Sequence, residues 1–320
     1  MTTQYPVEQQ VALSGRGGPL VSIVVANWNG LDDTRECLRS LQGSTYANYA
    51  TVVVDNHSDG DDAAILRQDF GSYTDVVETD RNYGCGEGFN IGIRHALATR
   101  SPDYVMVLNN DVVVAPDMLE CLVRVMRTDE GIGMVGPKIY YYDYHGRKDI
   151  IWSAGGALRY WAPRIQYQRG EDREDGPEFS FQRQVDWLSG AVLLIRASLL
   201  RRTGLFNPWY FFGPEDIELC LQARKHGARL VYVPAAKAWH KVGVTAAKLN
   251  LLHADPAAYY YLVRKCFPWY VYVYQRLMFP ALLAHWALRY ILRHRDKPLR
   301  PFLSELGKSL VGRARRHPMQ

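Results

Sequence analysis

The stretch Val105-Met106-Val107-Leu108-Asn109-Asn110-Asp111-Val112-Val113-Val114 decides the predicted fold of this chain. It is a β-branched, apolar run with three polar residues in its middle. A short apolar run of this kind is typical of a strand buried on both faces, such as a central strand of a parallel sheet. An unpaired carboxylate inside such a strand would be strongly unfavourable. We therefore expect the strand to end at Leu108 or Asn109 and Asp111 to lie at its carboxyl edge.

Two interpretations of Asp111 are open at this point. Open α/β sheets bind ligands at the carboxyl ends of their strands, so Asp111 could face a ligand or a metal ion. Alternatively, Asp111 caps a turn before a helix that begins near Ala115-Pro116-Asp117. The stretch alone favours neither interpretation over the other.

The length and composition are sufficient for one large α/β domain, or for one domain plus an appendage. The chain has 320 residues, of which 48% are hydrophobic and 22% charged, so it can fill a core. Its five cysteines are widely spaced without a Cys-x-x-Cys pair, which favours a reducing compartment over a disulfide framework or a zinc site. Residues 1–18 are polar and glycine-rich and predict a loose leader without the pattern of a secretory signal.

The net charge of +5 is a mild excess, and much of the positive charge lies near the C-terminus. This asymmetry indicates either a contact with an acidic surface such as lipid headgroups or a basic, solvated tail. No feature of the chain predicts nucleic-acid binding.

The first 130 residues alternate between predicted strands and helices. Strands are expected at 21–26, 51–54, 75–78 and from 105, with helices between them. This alternation predicts a doubly wound, mostly parallel sheet. Polar clusters follow successive strands, at 27–30, 55–60 and 81–92. Because the carboxyl ends of parallel strands meet at one edge, the clusters predict a nucleotide-sized site there.

The third cluster is rich in glycine, with Gly84, Gly86, Gly88 and Gly92 in a predicted loop before a helix. It resembles a dinucleotide fingerprint only loosely, because it follows the third strand and an Arg–Asn pair. We expect the glycines to let the backbone approach a phosphate or sugar at a helix N-terminus. The alternative is a tight turn, although a turn requires only one glycine.

The second half is less regular. Strands are expected at 132–135 and 138–142, and a turn at 185–190 leads into an apolar strand ending at Arg196. Ser198 is expected to cap a short helix ending at Thr203. Glu215 and Asp216 open a further helix, where acids also serve as ordinary capping residues. A strand at 229–233 follows, with His240 beyond it.

Taken together, the chain resembles the family 2 glycosyltransferases with the GT-A fold, particularly bacterial rhamnosyltransferase-like members. The resemblance rests on segments that come in the family's order, namely 21–30, 53–59, 82–92, 108–112, 189–196, 204–206, 213–224 and 231–240. It implies an α/β, Rossmann-like catalytic domain at 19–250, with a nucleotide-sugar half (19–130) and an acceptor half (131–250). Residues 251–320 would form a C-terminal helical appendage.

The resemblance also implies a reaction. A sugar would move with inversion from a nucleoside diphosphate sugar, dTDP-rhamnose or a UDP-sugar, to a hydroxyl of a lipid-linked or polysaccharide acceptor. By position in the family's motifs, Asp55 would bind the base ring, and Asn27 and Asn29 the nucleoside. Arg81 and Asn82 would approach the ribose or diphosphate. The remaining donor-site candidates are Gly86, Asn90, Asn109 and Asn110.

The resemblance assigns the metal ion and the base as well. Asn109-Asn110-Asp111 stands where the family carries an Asp-x-Asp motif, so Asp111 and His240 would bind Mg²⁺ or Mn²⁺. Because Asn109 replaces the first Asp, we expect modest metal affinity. Asp216 would be the general base, and Glu215 would orient the acceptor or exchange roles with it.

Aromatic residues are a further possible part of the acceptor site. Trp209, Tyr210 and Phe211 would form a platform for sugar or pack in the core, and Trp187 is expected in the core.

Residues 259–295 combine aromatics and leucines with recurring Arg and His. A membrane-spanning helix needs about 20 uninterrupted apolar residues, and Arg276, His285 and Arg289 interrupt this segment. The pattern favours a pair of amphipathic helices lying in a membrane interface, and so a cytoplasmic protein at the inner face of the cell membrane. The alternative is that the helices pack on the catalytic domain or on another subunit.

Two other functions stay open from the sequence. A nucleotidyltransferase would need a basic, glycine-rich loop after the first strand, and residues 27–30 do not provide one. A catalytically silent binding protein is compatible with Asn109, whereas Glu215, Asp216 and His240 argue against it.

Overall fold

The computed structural model describes residues 17–243 and 256–293. The first half contains β1 (Val21–Asn27), α1 (Leu31–Gln42), β2 (Tyr49–Asp55), α2 (Asp62–Phe70), β3 (Thr74–Glu78), α3 (Cys85–Thr99), β4 (Tyr104–Asn109), β5 (Val112–Val114) and α4 (Met118–Thr128). The predicted end of the central strand at Asn109 is therefore confirmed.

The second half combines two long strands with several shorter ones and includes three C-terminal helices. In order these are β6 (Ile132–Tyr141), β7 (Ile150–Ser153), β8 (Gly156–Leu158), β9 (Gln166–Gln168), β10 (Arg173–Glu174), a 3-10 helix (Pro177–Phe179), β11 (Arg183–Gln184), β12 (Val192–Arg196), α5 (Ala197–Thr203), α6 (Glu215–Lys225), β13 (Arg229–His240), α7 (Pro256–Cys266), α8 (Trp269–Leu277) and α9 (Phe279–Arg293).

One large mixed sheet organises both halves, with the strand order β10-β7-β6-β12-β4-β1-β2-β3. Strands β4, β1, β2 and β3 are parallel neighbours, and β12 runs antiparallel between β4 and β6. Asn27 at the end of β1 is paired with Asp55 at the end of β2. The polar clusters that follow these strands therefore meet at one rim, as the alternation of strands and helices predicts.

Both faces of the central strands are buried, which explains their continuous apolar character. Val24 packs on one side with the residues of α3, and Ile23 and Val25 pack on the other side with α1 and α4. Along β4, Val105 and Val107 belong to one core and Met106 and Leu108 to the other. A strand covered by helices on both faces needs no polar side chain until it ends.

The glycine-rich segment is mostly helix, and the predicted loop is wrong in this respect. Gly84, with φ of +83°, precedes α3, and Gly86, Gly88 and Gly92 lie within that helix. A Cβ at Gly92 would lie 2.4 Å from Val24 Cγ1 and 2.9 Å from Val54 Cγ2. Gly92 therefore allows α3 to pack closely on β1 and β2.

We expect Gly92→Ala to lower the free energy of unfolding by about 1–3 kcal/mol, because the added methyl overpacks the interface of α3 with the sheet. This loss exceeds the gain in helix propensity of about 0.5–1 kcal/mol. Urea unfolding measures the difference. Gly60→Ala is the matched control, because nothing lies within 4 Å of a Cβ built there. Equal stability of the two variants would contradict the packing role.

Two local predictions in the second half are also wrong. A single strand, β6, replaces the two expected at 132–135 and 138–142, because Pro137 lies opposite an irregularity of β13 between Val233 and Lys237. Proline lacks the N–H that a regular ladder would require there. Ser198 does not cap α5; the helix begins at Ala197, whose N–H donates to Asp103 O.

The first of the C-terminal helices packs on the rest of the protein, which is the alternative to a membrane contact for this helix. Three helices replace the expected pair, and Leu262 of α7 lies in the core beside residues of α6. Tyr259, Val271 and Leu282 join α7, α8 and α9 in a small core of their own. Among the described residues, no helix is both long and apolar enough to cross a membrane.

Candidate active site

Asp55 and Asn27 form a hydrogen-bonded network at the rim, just beneath its surface. Asn27 Nδ2 donates to Asp55 Oδ1 at 2.8 Å and to Asp62 Oδ2 at 2.9 Å. Ser58 Oγ donates to Asp55 Oδ1 at 2.6 Å, and Thr34 Oγ1 donates to Asn27 Oδ1 at 2.7 Å. The Asn27 amide is thus engaged on both sides within the protein, which fixes the loops after β1 and β2 relative to each other.

Asn29 also links the loops after β1 and β2, at the exposed surface of the rim. Its Nδ2 donates to Asp59 Oδ2 at 2.8 Å, and its Oδ1 accepts the N–H of Asp59, also at 2.8 Å. Asn29 adopts a φ of +50°, a left-handed conformation that Asn tolerates better than most residues. The reciprocal pair stabilises that conformation.

Asn56 is a buried residue of this rim that the sequence analysis missed. Its Nδ2 donates to Asn82 Oδ1 and to Gly84 O, each at 3.0 Å, and its Oδ1 accepts the N–H of Tyr83 at 3.0 Å. Asn56 therefore holds the β3–α3 loop against the end of β2. Its position directly after Asp55 was the signal that could have identified it.

A cleft opens above these loops, between the ends of β1 and β4 and the start of α3. Phe211 O, on the loop between α5 and α6, accepts the N–H of Cys85 at 2.8 Å and so brings that loop to the edge of the cleft. The lining residues are Ala26, Asn27, Trp28, Asn56, Asn82, Gly84, Cys85, Phe89, Asn109, Asn110, Phe211 and Phe212. Of the predicted donor-site residues, four asparagines line the cleft.

The other predicted donor-site residues lie around the cleft without lining it. The Arg81 guanidinium stacks over the ring of Tyr83 at 4.7 Å. Asn90 is buried, and its amide exchanges hydrogen bonds with the backbone of Phe206, Nδ2 to O at 2.8 Å and N to Oδ1 at 2.9 Å. A Cβ at Gly86 would lie 3.2 Å from Phe206 Cβ. Asn90 and Gly86 thus join α3 to the loop after α5.

Asp111 and His240 face each other just beyond β4 and at the end of β13. His240 Nε2 lies 3.1 Å from Asp111 Oδ1, and both side chains are buried. The backbone N–H of Lys241 donates to Asp111 O at 3.0 Å, and Lys241 Nζ contacts Asp33 and Glu36 at 2.6 Å each. These contacts fix the end of β13 against β4 and α1.

The Asp111 carboxylate is ionised although it is buried. Burial raises the pKa of Asp111, but the nearby His240, backbone hydrogen bonding and Lys241 together outweigh it and hold the pKa below its usual value. Asp111 Oδ1 faces His240 Nε2, and within the described residues His240 Nδ1 is buried without a hydrogen-bond partner. Buried polar atoms usually have one, so this pair fits a role as ligands.

The side chains of Asp111 and His240 suit a hard divalent cation that also binds substrate phosphates. Across the described parts of the chain, no three His, Cys, Asp or Glu side chains gather into a complete metal site. Mg²⁺-type ions commonly take only one or two carboxylates from the protein, with waters and phosphates completing the shell. Asp111 and His240 therefore fit as a partial site.

Glu215 and Asp216 begin α6 at the same rim. Asp216 Oδ2 accepts the N–H of Gly190 at 2.8 Å, and the N–H of Asn109 donates to Ala191 O at 2.9 Å. Gly190 and Ala191 are consecutive residues, so the backbone segment that binds Asp216 is also the one that binds Asn109. The acidic pair and the end of β4 are thus brought together.

The environments of the two acids differ. Burial raises the pKa of Glu215, and the adjacent charge of Asp216 raises it further. Burial also raises the pKa of Asp216, while its hydrogen bonds from the backbone of Gly190 and Ile217 oppose the shift. An ionised carboxylate has about four acceptor positions, so two backbone bonds leave room for a substrate hydroxyl. Neighbouring acids with separated pKa values are suited to different roles.

The aromatic loop between α5 and α6 is attached to the C-terminal helix α7. Trp209 stacks on Tyr261 with ring centroids 3.9 Å apart, and Tyr210 Oη donates to Glu218 Oε2 at 2.7 Å. The buried Glu218 also accepts from Lys265 Nζ at 2.8 Å. Of the predicted platform, Phe211 lines the cleft, Trp209 and Tyr210 contact α7, and Trp187 is in the core as expected.

We expect Lys265→Met to lower the free energy of unfolding by about 1–2 kcal/mol, because it leaves the Glu218 carboxylate buried without a cation. The expected loss is smaller than for a fully buried ion pair because Lys265 is partly exposed. Thermal unfolding measures the change. Arg264→Met removes a neighbouring exposed cation and is the control. If both variants unfold at the same temperature, Lys265 does not stabilise Glu218.

Comparison with known proteins decides the family. The model of the "Glycosyltransferase like family 2" matches residues 18–270, which is most of the chain. The chain belongs to glycosyltransferase family 2. It is therefore a glycosyltransferase, and the nucleotidyltransferase alternative is removed.

Relatives of known activity are similar over most of their length. The rhamnosyltransferase WbbL of Escherichia coli is 26% identical over 239 residues, covering 69% of this chain and 83% of that protein. The N-acetylglucosaminyl-diphospho-decaprenol L-rhamnosyltransferase of Mycobacterium tuberculosis is 29% identical over 240 residues, covering 69% and 74%. The chain spans only 24% of a longer relative, the uncharacterized protein y4gI of Sinorhizobium fredii.

Solved structures show the GT-A fold. The structure of GalNAc-T7 with UDP, GalNAc and Mn²⁺ matches with a TM-score of 0.61 at 16% identity, over 88% of this chain and 59% of that chain. The mannosyltransferase PcManGT of Pyrobaculum calidifontis with GDP-Man and Mn²⁺ matches with a TM-score of 0.54 at 18% identity, over 92% and 81%.

Proposed function

We propose that this glycosyltransferase moves a sugar, with inversion, from a nucleoside diphosphate sugar to a hydroxyl of a lipid-linked or polysaccharide acceptor. The observation that carries the proposal is the rim itself. Asn109 and Asn110, which directly precede Asp111, line the cleft, and Asp216 binds the N–H of Gly190, whose neighbour Ala191 accepts the N–H of Asn109. The rhamnosyltransferase relatives support dTDP-rhamnose as the first donor to test, followed by UDP-sugars.

Asp216 is the general base in this proposal. It takes the proton of the acceptor hydroxyl as that oxygen attacks the anomeric carbon from the face opposite the diphosphate. Its raised pKa supports the role, because a base is most effective when its pKa approaches the working pH. Glu215, whose pKa is raised by burial and by the charge of Asp216, would keep a proton and orient the acceptor instead.

Asp111 and His240 would hold Mg²⁺ or Mn²⁺, and the donor diphosphate would complete its shell. Bound there, the ion would neutralise the negative charge of the departing diphosphate. The Mn²⁺ in both GT-A structures supports a divalent ion, and the missing first Asp of the motif supports modest affinity. Asn27, bonded to Asp55, and Asn29, bonded to Ser58 and Asp59, would shape the nucleoside side of the cleft.

The pH dependence of transfer follows from the base. Because the pKa of Asp216 is raised, activity should fall with decreasing pH at a value above the ordinary aspartate pKa of about 3.9. We expect the acidic limb of kcat against pH to report this group. An activity that stays constant down to the ordinary aspartate range would exclude Asp216 as the base.

Turnover of a donor panel tests the proposed function. The protein is incubated with dTDP-rhamnose, UDP-sugars and GDP-sugars, with and without Mn²⁺, and released nucleoside diphosphate is measured. The expected result is acceptor-dependent release from one donor class. Release from no donor in the presence of membrane lipid extract would favour a non-catalytic scaffold.

A further inference from the structure

Helix α8 presents its apolar side to solvent. Trp269, Val273 and Leu277 are four residues apart and so form one stripe, and the first and last are 77% and 71% exposed. On the opposite side, Val271 and the polar Gln275 are fully buried. A helix on the surface of a globular protein normally has the reverse arrangement, so this stripe indicates a contact surface.

The tip of the β8–β9 hairpin extends this surface. Trp161, 63% exposed, stacks against Tyr270 with ring centroids 6.3 Å apart and meets Tyr274 edge-on at 5.1 Å. The buried Gln275 Nε2 donates to the backbone oxygens of Tyr160 at 3.0 Å and Ala162 at 2.9 Å. Hairpin and helix thus form one fixed apolar ledge, consisting of Tyr160, Trp161, Trp269, Tyr270, Val273 and Leu277.

The segments that carry the ledge contain basic residues and no acidic ones. Residues 156–168 and 256–293 include no Asp or Glu, but they include Arg159, Arg164, Arg264, Lys265, Arg276, Arg289 and Arg293. The sequence that follows, 294–320, has seven Lys or Arg residues against two acids. Basic segments beside exposed aromatics are complementary to an anionic surface that has an apolar interior.

We infer that the apolar ledge docks on the surface of a bilayer containing anionic lipid, with its tryptophans and tyrosines at headgroup level. Aromatic side chains with a polar edge are favoured at this depth, and α8 would lie in the plane of the membrane. A second copy of the chain is a poorer occupant, because two acid-free basic surfaces repel each other. The inference rests on the proposed function, since a docked enzyme would meet a lipid-linked acceptor at the same surface.

Co-sedimentation with vesicles tests the inference on the full chain. Wild type is compared with Trp161→Ser, Trp269→Ser and Leu277→Ser combined, using vesicles of phosphatidylcholine with phosphatidylglycerol and of phosphatidylcholine alone. We expect wild type to bind the anionic vesicles, with weaker binding to neutral ones. The triple variant should bind at least about tenfold more weakly, because it removes three large side chains from the interface.

Phe181→Ser is the matched control, because Phe181 is an exposed aromatic residue outside the ledge. It should bind vesicles like wild type, and all variants should retain the far-ultraviolet circular dichroism of wild type. Equal vesicle binding by the triple variant and wild type would overturn the inference, as would a wild type that binds no vesicles. A wild-type dimer that the triple variant converts to monomer would identify a second copy as the occupant instead.

Donor turnover in detergent separates this inference from the proposed function. None of the three substituted residues lines the cleft, so the triple variant should keep wild-type release of nucleoside diphosphate with a detergent-solubilised acceptor. Vesicle binding without any turnover would count against the proposed function and leave the docking surface intact. Turnover without vesicle binding would support the proposed function and overturn the docking inference.

Discussion

Asp216→Asn should lower kcat about a thousandfold while leaving the affinity for nucleoside diphosphate unchanged. The substitution keeps the size of the side chain and an oxygen that can accept a backbone N–H, but it removes the group that takes the acceptor proton. General bases typically contribute about 10²–10⁴-fold to rate. Steady-state kinetics gives kcat, and calorimetric titration with the nucleoside diphosphate gives the affinity.

Glu215→Gln is the matched control for this prediction. Because the pKa of Glu215 is raised, the acid is protonated near neutral pH and a glutamine preserves its hydrogen-bonding character. The loss in kcat should therefore be much smaller than for Asp216→Asn. The reverse order of effects would assign the base to Glu215. Equal, small losses in both would mean that neither acid takes the proton.

Asp111→Asn should abolish the dependence of donor binding on Mn²⁺. The variant removes the carboxylate that faces His240. The affinity for nucleoside diphosphate in Mn²⁺ should therefore fall by more than about tenfold, which is the least that changes around metal ligands usually cost. Without metal, the affinity should stay close to that of wild type. Calorimetric titrations with and without Mn²⁺ measure both values.

Two further variants separate a metal role from a structural role. Asp59→Asn removes a carboxylate of the same rim that only braces Asn29, and its Mn²⁺ dependence should remain. Asn109→Asp restores the acid that the family motif carries, and it should strengthen the effect of Mn²⁺. An Asp111→Asn variant that responds to Mn²⁺ like wild type would leave Asp111 as a structural residue.

The sequence predicts residues 19–130 well because local pattern and tertiary environment agree there. The apolar runs of β1, β2 and β4 are covered on both faces, and these strands end at the polar residues Asn27, Asp55 and Asn109. The glycines of α3 were misread because a glycine needed for close helix packing has the same sequence signature as one needed for a loop. Only the contact of Gly92 with Val24 and Val54 separates the two.

The structure of residues 131–250 and of the C-terminal helices depends on contacts between distant residues. Neither the start of α5 at Ala197, fixed by Asp103, nor the continuity of β6 through Pro137 is encoded by nearby residues. The apolar ledge depends on Gln275 joining α8 to a hairpin more than a hundred residues earlier in the chain. Its helical half was visible in the sequence as an amphipathic pattern, whereas its hairpin half was not.

We propose that Asp111, His240 and Asp216 surround one donor site at the rim of the sheet. Anomalous diffraction from a crystal grown with Mn²⁺ and the nucleoside diphosphate of the preferred donor tests it most directly. We expect a manganese peak within coordinating distance of Asp111, with the diphosphate on the ion and Asp216 facing the open side of the cleft. A peak elsewhere, or a diphosphate bound away from the cleft lined by Asn82 and Phe211, would contradict it.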